Sequence, residues 1–181
     1  DACRGTDAFL DERVYAVRNH TGPGLVAARM RGLLKGSQIV VSHRENDPRV
    51  QDPYSLRCAP AVIGAVGDAE EFFGGATAAK LGGVTDNPLV FAGARAGEAP
   101  IVSAGNFHGM PIAIPLDAVV MAIAHVAGIS ERRTFYLLSA TDSENPVPAY
   151  LSPRPGLHSG LMIAQYTAAA LATENKVLAH P

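Results

Sequence analysis

Apolar side chains recur along most of this chain at three- and four-residue intervals, the period of a helix with one buried face. Residues 8–18 (Ala-Phe-Leu-Asp-Glu-Arg-Val-Tyr-Ala-Val-Arg) predict a first helix, ended by His20-Thr21-Gly22-Pro23-Gly24. Leu25 to Leu34 predicts a second, with Arg29 and Arg31 outward and Gly36-Ser37 as its stop. Residues 38–50 pass from an apolar strip (Ile39, Val40, Val41) into a polar, turn-prone loop, Arg44-Glu45-Asn46-Asp47-Pro48. Tyr54 to Leu81 predicts one long helix with Ala65, Ala69, Phe72, Phe73, Ala76 and Ala79 on its apolar side. Pro60 falls inside that pattern and either kinks the helix or separates its first turn from the rest.

Beyond Gly82-Gly83 the period lapses. Val84-Thr85-Asp86-Asn87-Pro88-Leu89 reads as a tight polar loop. Residues 100–112 read as two short strands around Gly105-Asn106-Phe107-His108-Gly109. Asp117 to Ile129 predicts an apolar helix, and Ser130 caps a following one whose first turn, Glu131-Arg132-Arg133, is charged. Residues 141–157 carry four prolines and predict a loop. Leu161 to His180, alanine-rich and capped by Ser159, predicts a last long helix in which Glu174 and Lys176 face solvent or a partner helix. The sum is all-α: an elongated helical bundle with one small β-hairpin, residues 1–181 forming a single unit.

Composition extends this picture. Nearly half of the 181 residues are apolar (48%) and only 18% are charged, more core than a domain of this size needs, so some faces are expected to be covered by the rest of a longer chain or by other subunits. The start at Asp1 and the end at Pro181, just after a helical pattern without a glycine stop, read as cuts through a longer protein. A net charge of -2 without a basic patch argues against nucleic acid as a partner. Cys3 and Cys58 fit a reduced, cytoplasmic protein better than a disulfide scaffold. The longest apolar run, Met110 to Ile129, is interrupted by Pro111, Pro115, Asp117 and His125, and reads as a buried helix rather than a membrane span. No signal-peptide pattern is present.

The chemistry concentrates in Gln51-Asp52-Pro53-Tyr54-Ser55-Leu56-Arg57-Cys58. Asp52 followed by Pro53 reads as an N-cap and first helical residue. Tyr54 and Arg57, three apart, then share a face of the first turn, with Gln51 just ahead of the cap. An amide, a phenol and a guanidinium converge there: a planar fork suited to a carboxylate beside a group that can pass a proton. The local alternative is a capped helix with a buried Tyr54 and a surface Arg57. Asn87 precedes a proline, which pushes it out of helical conformation and offers its amide to a neighbour or ligand, or else to its own backbone in an Asx-type turn. Phe107 stands at the tip of a glycine-flanked turn, where an aromatic ordinarily packs under its loop, and His108 beside it reads as structural. The six histidines show no ligand-spaced pairing, so no metal site is expected, and neither a phosphate-binding glycine loop nor a Gly-x-Ser-x-Gly turn occurs.

The order of the segments says more than any one of them. Gln-Asp-Pro-Tyr-Ser-Leu-Arg-Cys (51–58), Val-Thr-Asp-Asn-Pro-Leu-Val-Phe (84–91), Gly-Asn-Phe-His-Gly (105–109), Ile-Ser-Glu-Arg-Arg (129–133) and the run from Ser159 to Pro181 together resemble the aromatic amino acid ammonia-lyases, most closely the branch that acts on histidine. The resemblance implies a helical homotetramer with active sites shared between subunits. It also implies a 4-methylideneimidazol-5-one electrophile, formed autocatalytically from an Ala-Ser-Gly tripeptide, and elimination of ammonia from an amino acid to give an unsaturated acid such as urocanate. On that basis Arg57 would bind the substrate carboxylate, Tyr54 would sit by the electrophile and handle a proton, and Gln51 would lie near the substrate. Asn87 would lie near the carboxylate or the electrophile, and Phe107 would pack on the electrophile's ring. The tripeptide is absent here (Ser103-Ala104-Gly105 has another order), so the electrophile and the family's tyrosine base are expected outside these residues. Tyr54, Arg57, Asn87 and Phe107 would equally serve a tyrosine or phenylalanine ammonia-lyase or a 2,3-aminomutase. A truncated helical core, inactive alone, is the remaining reading.

Overall fold

In a computed structural model, which describes residues 1–42, 44–141 and 147–180, long helices dominate. His43, the segment 142–146 of the expected loop and the terminal Pro181 lie outside the described residues.

The first predicted helix is broken in two. A single 3-10 turn (Ala8–Leu10) precedes a short helix, α1 (Glu12–Ala16), because Asp11 is extended (ψ 129) and its carboxylate caps the amide of Arg13 at 2.8 Å. The next helix, α2 (Thr21–Leu34), starts earlier than its apolar pattern. Gly22-Pro23-Gly24 forms its first turn instead of a stop, since proline there gives up an amide that has no intrahelical partner. The strip 38–41 is helical too, α3 (Gln38–Ser42).

The expected long helix 54–81 divides as Pro60 allowed. A four-residue turn, α4 (Tyr54–Arg57), is separated at Cys58 from the 22-residue α5 (Ala59–Lys80). Asp52 does not cap α4. Pro53 holds the cap position with no side-chain cap bond, and the buried Asp52 carboxylate instead takes the Thr6 amide (2.9 Å) and hydroxyl (2.5 Å). Two donors in a buried place outcompete one local amide near water.

The hairpin exists, with a different partner strand. β1 (Leu89–Val90) pairs antiparallel with β2 (Ile101–Val102), Leu89 opposite Val102. The second strand expected after the Phe107 turn is the first turn of a helix, where Pro111 is at home and the imidazole Nδ1 of His108 accepts the Met110 amide at 3.2 Å. That helix, α6 (Met110–Ser139), runs for 30 residues without interruption, so Ser130 caps nothing and Glu131 lies mid-helix. A second 3-10 turn (Ala149–Leu151) leads to α7 (Met162–Leu178), whose cap position is Leu161, with Ser159 contributing only its carbonyl to the Met162 amide.

The bundle is organised around α5. α2 crosses it backbone to backbone, because a Cβ on Gly22 would stand 2.3 Å from the Gly64 carbonyl oxygen and one on Gly64 would stand 2.2 Å from the Pro23 nitrogen. α6 returns antiparallel along α5. Lys80 Nζ at the end of α5 donates to the Asn106 carbonyl (3.4 Å) just before α6 begins, and Arg133 far along α6 donates to the Ser55 carbonyl (2.8 Å) just before α5 begins. α7 lies on α6, where Gln165 donates to Glu131 (3.3 Å).

Much apolar surface is left uncovered. The chain exposes 12086 Å², against about 8,300 Å² for a compact monomer of its mass. α6 is long and apolar enough to cross a membrane by length and composition, and only 17% of its most apolar window is buried within the chain. The helix expected to be buried is therefore not buried by these residues. Ile114, Leu116 and Ile123 on α6 and Ile163, Leu171 and Val177 on α7 stand exposed.

The α2–α5 crossing predicts the effect of a single methyl. Gly64→Ala should lower stability by about 1–3 kcal/mol or more through overpacking, whereas Gly67→Ala, with open space around its added Cβ, should hold or raise it through helix propensity. Thermal melts of the two variants compare them directly, and an unshifted melt for Gly64→Ala would show that the crossing yields.

Candidate functional site

The turn that carries the opening chemistry is α4. Its internal bonds are few: the Leu56 and Arg57 amides reach the Pro53 carbonyl (2.9 and 3.0 Å) and the Cys58 amide reaches that of Tyr54 (3.0 Å). Burial on this turn is opposite to the bland local reading. Tyr54 is 68% exposed, while Arg57 is half-buried, with an Nε that is buried and unpartnered among the described residues. Gln51 is exposed ahead of the turn. A buried guanidinium donor left without an acceptor costs about 1–3 kcal/mol, more for a charged group.

Asn87 and Phe107 form a second cluster. The Asn87 Oδ1 accepts the Ala104 amide (2.8 Å) and the Ser103 hydroxyl (3.1 Å), so this side chain joins the 84–88 loop to the 103–109 turn rather than closing a turn on its own backbone. The Asn87–Pro88 peptide is cis. Asn106 adds a bond to the Val84 carbonyl (3.4 Å). Phe107 is 63% exposed and does not pack under its loop.

These two clusters are not together. α5 separates them, and 22 residues at 1.5 Å each make it about 33 Å long. Gln51, Tyr54 and Arg57 stand before its first residue; Asn87 and Phe107 hang from its last, through Lys80. Along α6, the 23 steps from Met110 to Arg133 give about 35 Å by the same rise. These residues thus form two clusters at opposite ends of a paired helical rod.

Beside Tyr54 a groove of about 810 Å³ runs between α4, α6 and α7, walled in part by His125, Glu131, Arg132, Phe135 and Lys176. Glu131 is buried with its side chain 8% exposed, and it takes Arg132 Nε (2.5 Å) and Nη2 (2.6 Å) as well as Gln165. The hydrogen bonds from Arg132 hold the Glu131 carboxyl below its ordinary value, against burial that raises it, with Arg132's charge, Gln165 and the Lys176 charge assisting. Arg132 lies over the Phe135 ring at 4.8 Å. The sequence marked Glu131 only as a charged first turn and Lys176 as a solvent or partner-helix residue; no local signal separated the buried carboxylate from its exposed neighbours. Asp52, Lys80 and Arg133 likewise gave no sign of the long-range bonds they make. Among the described residues no group of three His, Cys, Asp or Glu side chains is placed to hold a metal ion, and Cys3 and Cys58 are free thiols.

The pattern of the aromatic amino acid lyases matches residues 1–181. Histidine ammonia-lyase of Koribacter versatilis is 48% identical over 190 residues, covering 100% of this chain and 36% of that protein. The crystal structure of histidine ammonia-lyase from Trypanosoma cruzi superimposes with a TM-score of 0.82 at 42% identity, covering 99% of this chain and 32% of that one. Tyrosine aminomutase from Streptomyces globisporus gives a TM-score of 0.82 at 32% identity, covering 97% and 36%. The chain spans about a third of the length of the curated relatives it matches. These neighbours share the fold of this chain.

Glu131 predicts an acid-side dependence of stability. Its folded value is depressed, so its contribution is complete above the ordinary carboxylate value of about 4.3 and fades as pH falls through the lower folded value. Melting temperatures of wild type and Glu131→Gln should differ most above about pH 5 and draw together progressively as pH falls below the ordinary carboxylate value of about 4.3. A gap that stays constant over that range would remove Glu131 as the titrating group.

Proposed function

Because this chain belongs to the aromatic amino acid lyase family, we propose that it supplies the carboxylate-holding and electrophile-flanking parts of an enzyme that removes ammonia from L-histidine to give urocanate. The observation that carries the reading is the half-buried Arg57 beside the exposed Tyr54 on one short turn, its Nε buried and without a partner among the described residues, a guanidinium suited to a carboxylate. The choice of histidine rests on similarity: the histidine-acting relatives are 48% and 42% identical, the tyrosine aminomutase 32%.

In this reading Arg57 grips the α-carboxylate and Gln51 lies near the substrate. Tyr54, exposed beside it, handles a proton at its phenolic oxygen. At the other end of the rod, Asn87 fixes the loop through its side-chain oxygen, its amide nitrogen making no hydrogen bond among the described residues, and Phe107 presents an open ring face. These groups fit a 4-methylideneimidazol-5-one brought in from outside the 181 residues, since Ala-Ser-Gly occurs nowhere among them. When present, that group supplies an electrophilic sink that turns the substrate amine into a leaving group. The separation of the half-sites by about 33 Å fits an assembly, a homotetramer in this reading, in which different copies complete one another's sites. The exposed apolar faces of α6 and α7 fit the same assembly, and the free thiols fit the reducing cytoplasm.

The test follows the ultraviolet absorbance of the conjugated acid product (urocanate from histidine, 4-coumarate from tyrosine, cinnamate from phenylalanine), with each amino acid offered separately to the intact enzyme. Product from histidine alone is expected; turnover of tyrosine or phenylalanine in its place would move the protein to the other branch. Arg57→Ala should weaken substrate binding by about 2–5 kcal/mol through loss of a desolvated charge-assisted fork, and unchanged KM and kcat would take Arg57 out of the site. The 181 residues alone should give no urocanate, and product from them would contradict an electrophile supplied from elsewhere.

A further inference from the structure

Resting on the reading of α4 as the substrate-holding turn, we infer that Arg133 is a positioning residue, which sets the placement of Tyr54 and Arg57 by gripping the backbone carbonyl between them. Its Nη2 donates to the Ser55 carbonyl at 2.8 Å, and Ser55 is itself buried. The Arg133 Nε is buried and has no partner, so the grip on Ser55 is the guanidinium's hydrogen bond among the described residues.

The turn needs such a grip. Four residues of helix have too few internal bonds to hold a fixed orientation, and Pro60 has no amide proton to offer the Leu56 carbonyl four residues back. Cys58 separates α4 from α5, so only part of the helical ladder ties the turn to the long helix. Two contacts from outside add to that hold. Asp52 fastens the entrance to Thr6, and Arg133 fastens the middle to α6. The second contact has the greater reach, because α6 starts at the residue after Gly109 and its first turn follows directly on the Phe107 turn. Arg133 therefore refers the carboxylate-binding turn to the same rod that carries the other half-site. Its neighbour does not share the role: Arg132 is 60% exposed and committed to Glu131 and the Phe135 ring.

The test uses the intact enzyme with Arg133→Met, which keeps the length and removes the donor, and Arg133→Lys, which keeps the charge and one donor. Amide hydrogen exchange across residues 53–58 reads the grip independently of catalysis. In Arg133→Met it should speed up about tenfold there and not in the first four turns of α6, with oligomeric state unchanged. With histidine, or whichever amino acid wild type consumes, kcat/KM should fall about 10- to 100-fold, as a misplacement near 1 Å does. KM should rise along with the loss in kcat, because Arg57 rides on the turn. Arg133→Lys should recover part of both. Wild-type exchange at 53–58 in a folded variant overturns the grip. Faster exchange with unchanged kinetics leaves the grip but overturns the positioning role, because the turn would then not hold substrate. If Arg133→Met does not assemble, Arg133→Lys decides by the same two readouts.

Discussion

Proline at position 60 has no amide proton, and the rest of the arrangement follows from that. A helix running unbroken from Tyr54 would hold the tyrosine and the arginine by its own ladder and aim them along the bundle axis. The interruption at Cys58 (φ -97, ψ 0) leaves a single turn with few ladder bonds of its own. That shortfall is made up from outside, by a carboxylate reaching an N-terminal threonine and a guanidinium reaching a buried carbonyl. The result is a phenol turned toward solvent and a guanidinium turned inward, the opposite of what an amphipathic surface turn would give.

The two long helices behind this turn do a different job. α5 and α6 run side by side in opposite directions, tied near both ends by a lysine-to-carbonyl bond and an arginine-to-carbonyl bond. α2 is seated on α5 where two glycines let backbones touch, a contact of the kind that fixes register better than interdigitating side chains do. Little of the apolar surface on α6 and α7 is used up by these contacts. The chain therefore combines stiff internal spacing with large uncovered faces, the combination expected of a piece of an assembly rather than of a free-standing domain.

Helical content and the identity of the candidate residues were legible in the sequence, because the 3.6-residue period and the ordered segments are local properties. The break near Pro60 was also legible, since a missing amide is written in the residue itself. What was not legible depended on partners distant in the chain. Asp52 looks like a cap beside Pro53 until Thr6 arrives 46 residues away in sequence. Met110-Pro111-Ile112 looks like a strand until it is seen to open a 30-residue helix, and Leu89–Val90 is too short to announce itself as the partner of Ile101–Val102. Ser130 and Ser159 carry cap chemistry, but the helix passes through the first and begins beyond the second. The residue types of Gln51, Tyr54, Arg57, Asn87 and Phe107 drew attention in the sequence, yet no local pattern could show their exposure or that a helix of 22 residues would hold them apart.

That helix also works as a gauge. Each residue added to or removed from α5 would shift one cluster against the other by about 1.5 Å and swing it through about 100° around the axis. Substitutions on its solvent side leave this spacing alone, whereas a single insertion or deletion changes both distance and azimuth at once. Variation in α5 should therefore be confined to residue identity, with its length held constant.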